Sequence, residues 1–160
     1  MDELAQDPDF IRRALAEAEA AFAEGEVPVG AVLVINGEIV SAAHNTRETT
    51  LDPTAHAEVL VMREACRKIA GWRLTGATLY VTKEPCLMCA GAMINARLGR
   101  LVYGCRDIKG GAVKSLYQTL SDARLNHRVE VVPGVMEEEC ALLLKRFFMQ
   151  RRKSLKADLV

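Results

Sequence analysis

Residues 77–104 read ATLYVTKEPCLMCAGAMINARLGRLVYG, and that stretch decides the fold. Its first six residues (77–82) form a short apolar run rich in β-branched and aromatic side chains, the pattern of a buried strand. A helix is predicted from Cys86 to about Ala96. Pro85 suits its entry, because a fixed φ fits the first turn and the missing N–H is not needed there. Residues 100–104 read as the next strand. A strand, a helix and a second strand in succession predict parallel pairing through a crossover.

The flanking sequence extends this unit. Asp7-Pro8 reads as the N-cap and first residue of an opening helix. Phe10, Ile11, Ala14, Leu15, Ala18, Ala21 and Phe22 follow at helical spacing, and Gly25 is a plausible stop. Residues 29–35 form an apolar strand, Asn36-Gly37 a hairpin turn, and 38–43 the returning strand. A helix is expected from about Thr54 to Ala70, a fifth strand over 129–132 and a final helix over roughly 136–156. The expectation is an α/β fold: one domain over residues 1–160, built as a three-layer αβα sandwich around a five-stranded mixed sheet. The least regular stretch, 105–127, holds Gly110-Gly111 and leaves the end of a strand, a common place for substrate contacts.

Within this frame lies a set of metal-binding residue types. Cys86 and Cys89 are spaced i, i+3, which puts both sulfurs on one face of a helix. The helix N-terminus carries partial positive charge and favours thiolate. His56 stands near another helix start, after Asp52-Pro53-Thr54. One imidazole and two thiolates leave the fourth position of a tetrahedral zinc open, as catalysis by a bound water requires. Glu58, two residues from His56, is close enough to reach that water. A lone C-x-x-C is often a redox pair or half of a structural zinc site. A closed structural site needs a further Cys or His pair, and Cys66, Cys105 and Cys140 are each isolated. A redox pair leaves His56 and Glu58 unexplained.

Composition bounds the remaining choices. The 160 residues are half apolar, enough for one good core. No apolar run approaches a membrane span. The acidic start Met1-Asp2-Glu3-Leu4 lacks the features of a signal peptide, and three lone thiols suit a reducing, cytoplasmic setting. Net charge is zero, but residues 1–60 hold 12 acidic and 3 basic residues while 61–160 hold 18 basic and 9 acidic. Such asymmetry can set a basic surface beside an acidic one.

The pattern H-x-E with P-C-x-x-C is that of the zinc nucleobase deaminases. Six further blocks narrow the resemblance: EVPVGAVLV (26–34), DPTAHAE (52–58), LYVT (79–82), EPCLMCAGAMI (84–94), NHRVE (126–130) and the EECA…FF…RR tail (138–152). Over residues 10–153 the chain resembles the bacterial tRNA-specific adenosine deaminases of the cytidine/deoxycytidylate deaminase superfamily. The resemblance implies a cytidine-deaminase-like fold and hydrolytic conversion of the wobble adenosine of an arginine tRNA to inosine. It implies one Zn²⁺ per chain on His56, Cys86 and Cys89, with Glu58 as proton shuttle. It also implies Asn45 and Ala57 at the substrate, and a homodimer bound to the anticodon stem-loop. Arg106, Asp107, Lys109, His127, Phe148, Arg151 and Arg152 are the candidate RNA contacts. Two positions depart from the family pattern. Lys83 precedes Glu-Pro-Cys where an apolar residue is usual, and Lys114 replaces a loop glycine.

Two other readings are open to the same motif. One is a deaminase of a free base or nucleoside such as guanine or cytosine. The basic tail (Lys145, Arg146, Arg151, Arg152, Lys153, Lys156) argues against it, since a small substrate does not need one. The other is a non-catalytic scaffold, which an intact Glu58 argues against. Glu84 reads as a turn residue, His44 and His127 as structural or surface residues rather than ligands, and Phe147 and Phe148 as either base-stacking or core residues.

Overall fold

Strand β3 (Ala77–Lys83) lies at the centre of the molecule in a computed structural model that describes residues 2–159. Met1 and Val160, included in the expected 1–160 domain, lie outside the described residues. On one side β3 pairs antiparallel with β1 (Gly30–Ile35), on the other parallel with β4 (Arg100–Cys105). Strand β2 (Glu38–His44) pairs antiparallel with β1, and β5 (Glu130–Val132) parallel with β4, giving the order β2-β1-β3-β4-β5. The five-stranded mixed sheet expected from the sequence is therefore present. Asn36 and Gly37 both adopt positive φ (51° and 78°), as a two-residue hairpin turn of the primed type demands.

Alternation along the strands defines the layers. Ala31, Leu33, Leu79, Val81, Leu101 and Tyr103 pack with Ala57 and Val61 of helix α3 (Ala57–Ile69) and Met93 of helix α4 (Leu87–Asn95). The intervening Val32, Val34, Tyr80 and Val102 pack with Ile11 of helix α1 (Glu3–Ala23) and Cys140 of helix α5 (Glu137–Asp158). A period of two thus feeds two apolar layers, the three-layer αβα sandwich.

Three boundaries differ from expectation. Helix α1 begins at Glu3, capped by Asp2 Oδ1 accepting from Leu4 N, and Pro8 lies inside it. Pro8, the sixth residue of the helix, removes the bond that its N–H would give to the Leu4 carbonyl. Asp7 is no cap: it is buried, accepts from the Tyr80 hydroxyl at 2.8 Å and takes two bonds from the Arg100 guanidinium at 2.9 and 2.7 Å. Helix α3 starts at Ala57 rather than Thr54, because Asp52 Oδ1 accepts from both the N–H and the hydroxyl of Thr54 and closes a turn there. Helix α4 starts at Leu87 with Cys86 as its N-cap, so Pro85 precedes the cap instead of opening the helix. A one-turn helix α2 (Arg47–Thr50) was not foreseen.

The Asp7–Arg100 pair joins α1 to β4 on the face of the sheet that α1 covers, and its side chains are only 2% and 7% exposed. Asp7→Ala leaves the buried guanidinium with only the exposed Glu130 carboxylate at 3.9 Å and is expected to destabilise the fold by about 3 kcal/mol. Urea titration of the variant against the parent measures this. Asp7→Ala/Arg100→Leu is expected to recover part of the loss.

Candidate active site

Two helix N-termini converge at the ends of β2 and β3. His56 caps α3 and Cys86 caps α4, both with extended backbone, and each carbonyl accepts the first helical bond, from Leu60 N at 3.0 Å and Ala90 N at 2.9 Å. Capping residues are half outside their helix, so their side chains turn toward the same gap. Cys89 lies one turn into α4 and is fully buried.

His56 Nδ1 stands 3.5 Å from the Sγ of Cys86 and 3.5 Å from the Sγ of Cys89, and all three donor atoms lie within 4.8 Å of one another. A tetrahedral zinc with bonds of about 2.0–2.1 Å to nitrogen and about 2.3 Å to sulfur requires an N-to-S separation of about 3.5 Å. The three residues therefore fit a metal ion of that kind. The cluster also concentrates negative charge. The Cys89 thiol donating to Cys86 pulls the Cys86 thiol down, burial opposes this, and His56 adds to the lowering, leaving Cys86 at about 4. The hydrogen bond between His56 and Cys86 raises His56, and the bond from Cys89 to Cys86, with burial, holds the proton on Cys89. A coordinated cation displaces such a proton outright.

Glu58 occupies the first turn of α3, is 4% exposed and lines the same cavity of about 300 Å³. Burial raises its carboxyl above the ordinary range. Asn45, just past β2, also lines the cavity. Its Oδ1 accepts from Ala57 N at 2.8 Å, which leaves the Nδ2 donors to face a ligand. Ala57 itself is buried and does not line the cavity; its N–H serves the site by orienting Asn45. Val27, Val29 and Arg47 complete the wall. Arg47 was not singled out by the sequence, although its position two residues after Asn45 was a usable signal. It is carried by α2, whose first turn is held by buried Glu26 accepting from Glu48 N at 2.7 Å, Thr49 N at 3.2 Å and the Thr49 hydroxyl at 3.3 Å.

Glu84 has a larger part than a turn. It is buried beside Cys86 and accepts from Asp107 N, Val113 N, Lys114 N, Ser115 N and the Ser115 hydroxyl at 2.6–3.2 Å. Those donors come from the irregular stretch after β4, so one carboxylate shapes the wall that carries Asp107. A Cβ on Gly111 would overlap that carboxylate, which explains glycine there. Burial pushes the Glu84 carboxyl up, but the donated bonds outweigh it and hold it at about 2.

The candidate RNA contacts divide. Asp107, Lys109, Phe148, Arg151 and Arg152 line a groove of about 940 Å³ next to the cavity. Arg106 instead faces a depression with Tyr103, Lys114 and Glu137. His127 Nε2 donates to the Leu98 carbonyl at 2.8 Å, beside the opposite end of β4. His44 is held between Glu17 and Glu24, at 2.7 and 3.1 Å, as a structural residue. Phe147 is buried against Phe22, while Phe148 is 40% exposed and reaches both cavity and groove.

This constellation, an open His-Cys-Cys site with a buried glutamate on an αβα sandwich, defines a deaminase, and the MafB19-like deaminase family profile matches residues 5–152. Within that class the chain belongs to the tRNA-specific adenosine deaminase family. It is 53% identical over 154 residues to the tRNA-specific adenosine deaminase of Bacillus subtilis (strain 168), covering 96% of each chain. It is 44% identical over 153 residues to that of Haemophilus influenzae, covering 95% of this chain and 88% of the other. A solved structure from work on A-to-I editing by tRNA:A34 deaminases at the wobble position superposes with a TM-score of 0.82. It is 45% identical and covers 84% of this chain and 98% of the other. A guanine deaminase from Nitrosomonas europaea shares the fold at a TM-score of 0.77 and 22% identity, covering 88% of this chain and 83% of the other.

The Glu84 bonds make a pH-dependent contribution. Its folded value lies below the ordinary one, so its stabilisation is full above about 4.5 and is lost as pH falls toward about 2. Glu84→Gln cannot accept all these bonds. The stability gap between parent and variant is expected to be constant at neutral pH and to shrink over that acid window, as read from denaturant midpoints at each pH.

Proposed function

We propose that this chain hydrolyses the wobble adenosine of a tRNA anticodon, an arginine tRNA first among candidates, to inosine and ammonia in the cytoplasm. The observation that carries the reading is the convergence of His56, Cys86, Glu58 and Asn45 on one small cavity opening onto a cation-rich groove, with buried Cys89 completing the His-Cys-Cys group behind it. Family membership agrees with it. No helix among the described residues is long and apolar enough to cross a membrane.

His56, Cys86 and Cys89 hold one zinc ion per chain in this proposal. When bound, zinc supplies a water acidified to near neutral pH as the nucleophile. Asn45 donates from Nδ2 to the flipped base and fixes its orientation. Glu58 accepts a proton from the attacking water and delivers it to ring nitrogen N1, so that oxygen bonds to an activated C6. The same carboxylate then passes the second proton to the exocyclic nitrogen, the C6–N bond breaks, and ammonia leaves. Closure of the cavity by Val27, Val29 and Phe148 limits competing solvent. Lys109, Arg151 and Arg152 hold phosphates of the stem-loop, which position the RNA without reading its bases.

The proposal includes a homodimer. Ala90, Met93 and Ile94 of α4 pack in the chain's own core. Facing outward is a groove between α3 and α4 in which Met62, Cys66, Trp72, Ala92 and Ala96 are bordered by Arg63, Arg67 and Asn95. Trp72 is 56% exposed there, and such a patch is the self-complementary surface expected at a two-fold interface.

Incubation with total tRNA is expected to yield inosine at the wobble position, whereas free guanine and cytosine remain unchanged. The reverse outcome would replace this reading with the small-molecule one. Glu58→Gln is expected to keep about one zinc per chain yet lose at least about a hundredfold in single-turnover rate. Near-normal turnover of the zinc-replete variant refutes the shuttle role. Sedimentation at micromolar concentration is expected to give a dimer that Trp72→Glu dissociates.

A further inference from the structure

The small cavity and the groove share a lip made of Lys83, Asp107, Phe148 and Arg151. A strand with one nucleoside seated in the cavity and its neighbour in the groove must pass its phosphodiester over that lip. The groove suits a nucleotide: Leu144, Phe148, Met149 and Leu155 give it apolar walls, and Lys83, Lys109, Lys145, Arg151 and Arg152 surround them. Asp107 is the only carboxylate among its lining residues.

Lys83 is the best placed of these cations. It ends β3, adjacent to buried Glu84, so its backbone is fixed by sheet pairing with Cys105. Its side chain is 28% exposed, and Nζ lies 3.2 Å from Asp107 Oδ2. The other Asp107 oxygen accepts from Lys109 N at 3.2 Å and Gly110 N at 3.1 Å, so the carboxylate is fixed as well. Lys109, Lys145 and Arg152 border the groove alone. Arg151 borders both spaces but is shared with Glu48 at 4.0 Å. An ammonium has three donors, so the Asp107 contact leaves Lys83 able to bind a second anion.

We propose that Lys83 is an RNA-binding residue of this chain. Its ammonium grips the phosphodiester that links the target adenosine to the nucleotide in the groove, and it shields that phosphate from Asp107. This rests on the tRNA reading of the cavity. The contact is electrostatic and outside the reacting atoms, so it governs affinity and its salt dependence rather than the chemical step.

The test measures binding of a catalytically competent anticodon stem-loop RNA to zinc-loaded full-length protein from 50 to 300 mM salt, with single-turnover rates at saturating RNA. Lys83→Gln is expected to bind about fivefold more weakly at 0.1 M salt, with a log–log salt slope shallower by about 0.7, the value for one phosphate contact on a single strand. The saturating rate is expected to stay within about twofold of the parent. Lys83→Arg is expected to restore the slope. Lys83→Met, which keeps the stem and loses the charge, is expected to match Lys83→Gln and guards against a folding defect in either. Lys83→Gln/Asp107→Asn separates direct contact from neutralisation of Asp107, and its slope is expected to remain shallow. A parental slope in Lys83→Gln and Lys83→Met, or a slope recovered in the double variant, overturns the inference. A parent protein that neither binds nor deaminates the RNA overturns the tRNA reading instead.

Discussion

One buried carboxylate organises the reactive end of this molecule. Glu84 sits between the last residue of β3 and the Pro85-Cys86 step that begins α4. Four backbone N–H groups and one hydroxyl from residues 107–115 close on it. Those residues have no ladder or helix to satisfy them, and unpaired buried amides cost about 1–3 kcal/mol each. The carboxylate supplies what secondary structure does not. The loop is thereby fixed against the segment that carries Cys86 from β3 into α4, and Ala112 N adds a 2.9 Å bond to the Pro85 carbonyl. Ligand position and substrate wall are therefore coupled through a residue that takes no part in the proposed chemistry.

The sheet makes this coupling possible. Strands β3 and β4 run parallel, so their C-terminal ends lie side by side and the connection α4 starts where β3 stops. Strand β2 runs the same way as β3, with antiparallel β1 between them, and so delivers Asn45 and the approach to His56 to the same edge. Ligands in open α/β sheets bind at the carboxyl ends of parallel strands for this reason. The two capping residues, His56 and Cys86, then face each other without any long flexible side chain between backbone and metal site.

Much of this was legible in the sequence, and the exceptions have a common cause. Period-two runs and the Asn36-Gly37 turn revealed the strands because their information is local. The metal set was legible because residue type and spacing encode it. Asp7-Pro8 misled, since a good local cap was overridden by a partnership with Tyr80 and Arg100, residues 73 and 93 positions away. Glu84 looked like a turn residue because its donors lie 23 to 31 positions later. Which apolar neighbour the α4 residues take is likewise not encoded in their spacing. Long-range polar pairing and the choice between two apolar partners are the information that periodicity lacks.

Electrostatics gives the site its division of labour. The depth of the cavity raises Glu58 by desolvation, while donated hydrogen bonds hold Glu84 near 2, although both are buried glutamates beside metal-site residues. The difference is the number of N–H groups each receives. A carboxylate saturated with donors is a fixed anion and a structural one. A carboxylate with few donors in a dry cavity exchanges protons readily, as a shuttle must. Around the rim the balance reverses, and cations outnumber the single acid Asp107 along the groove. The carboxylate proposed to handle protons, Glu58, is kept inside, where burial raises its affinity for them. The cations proposed to contact phosphate stay outside, along the groove.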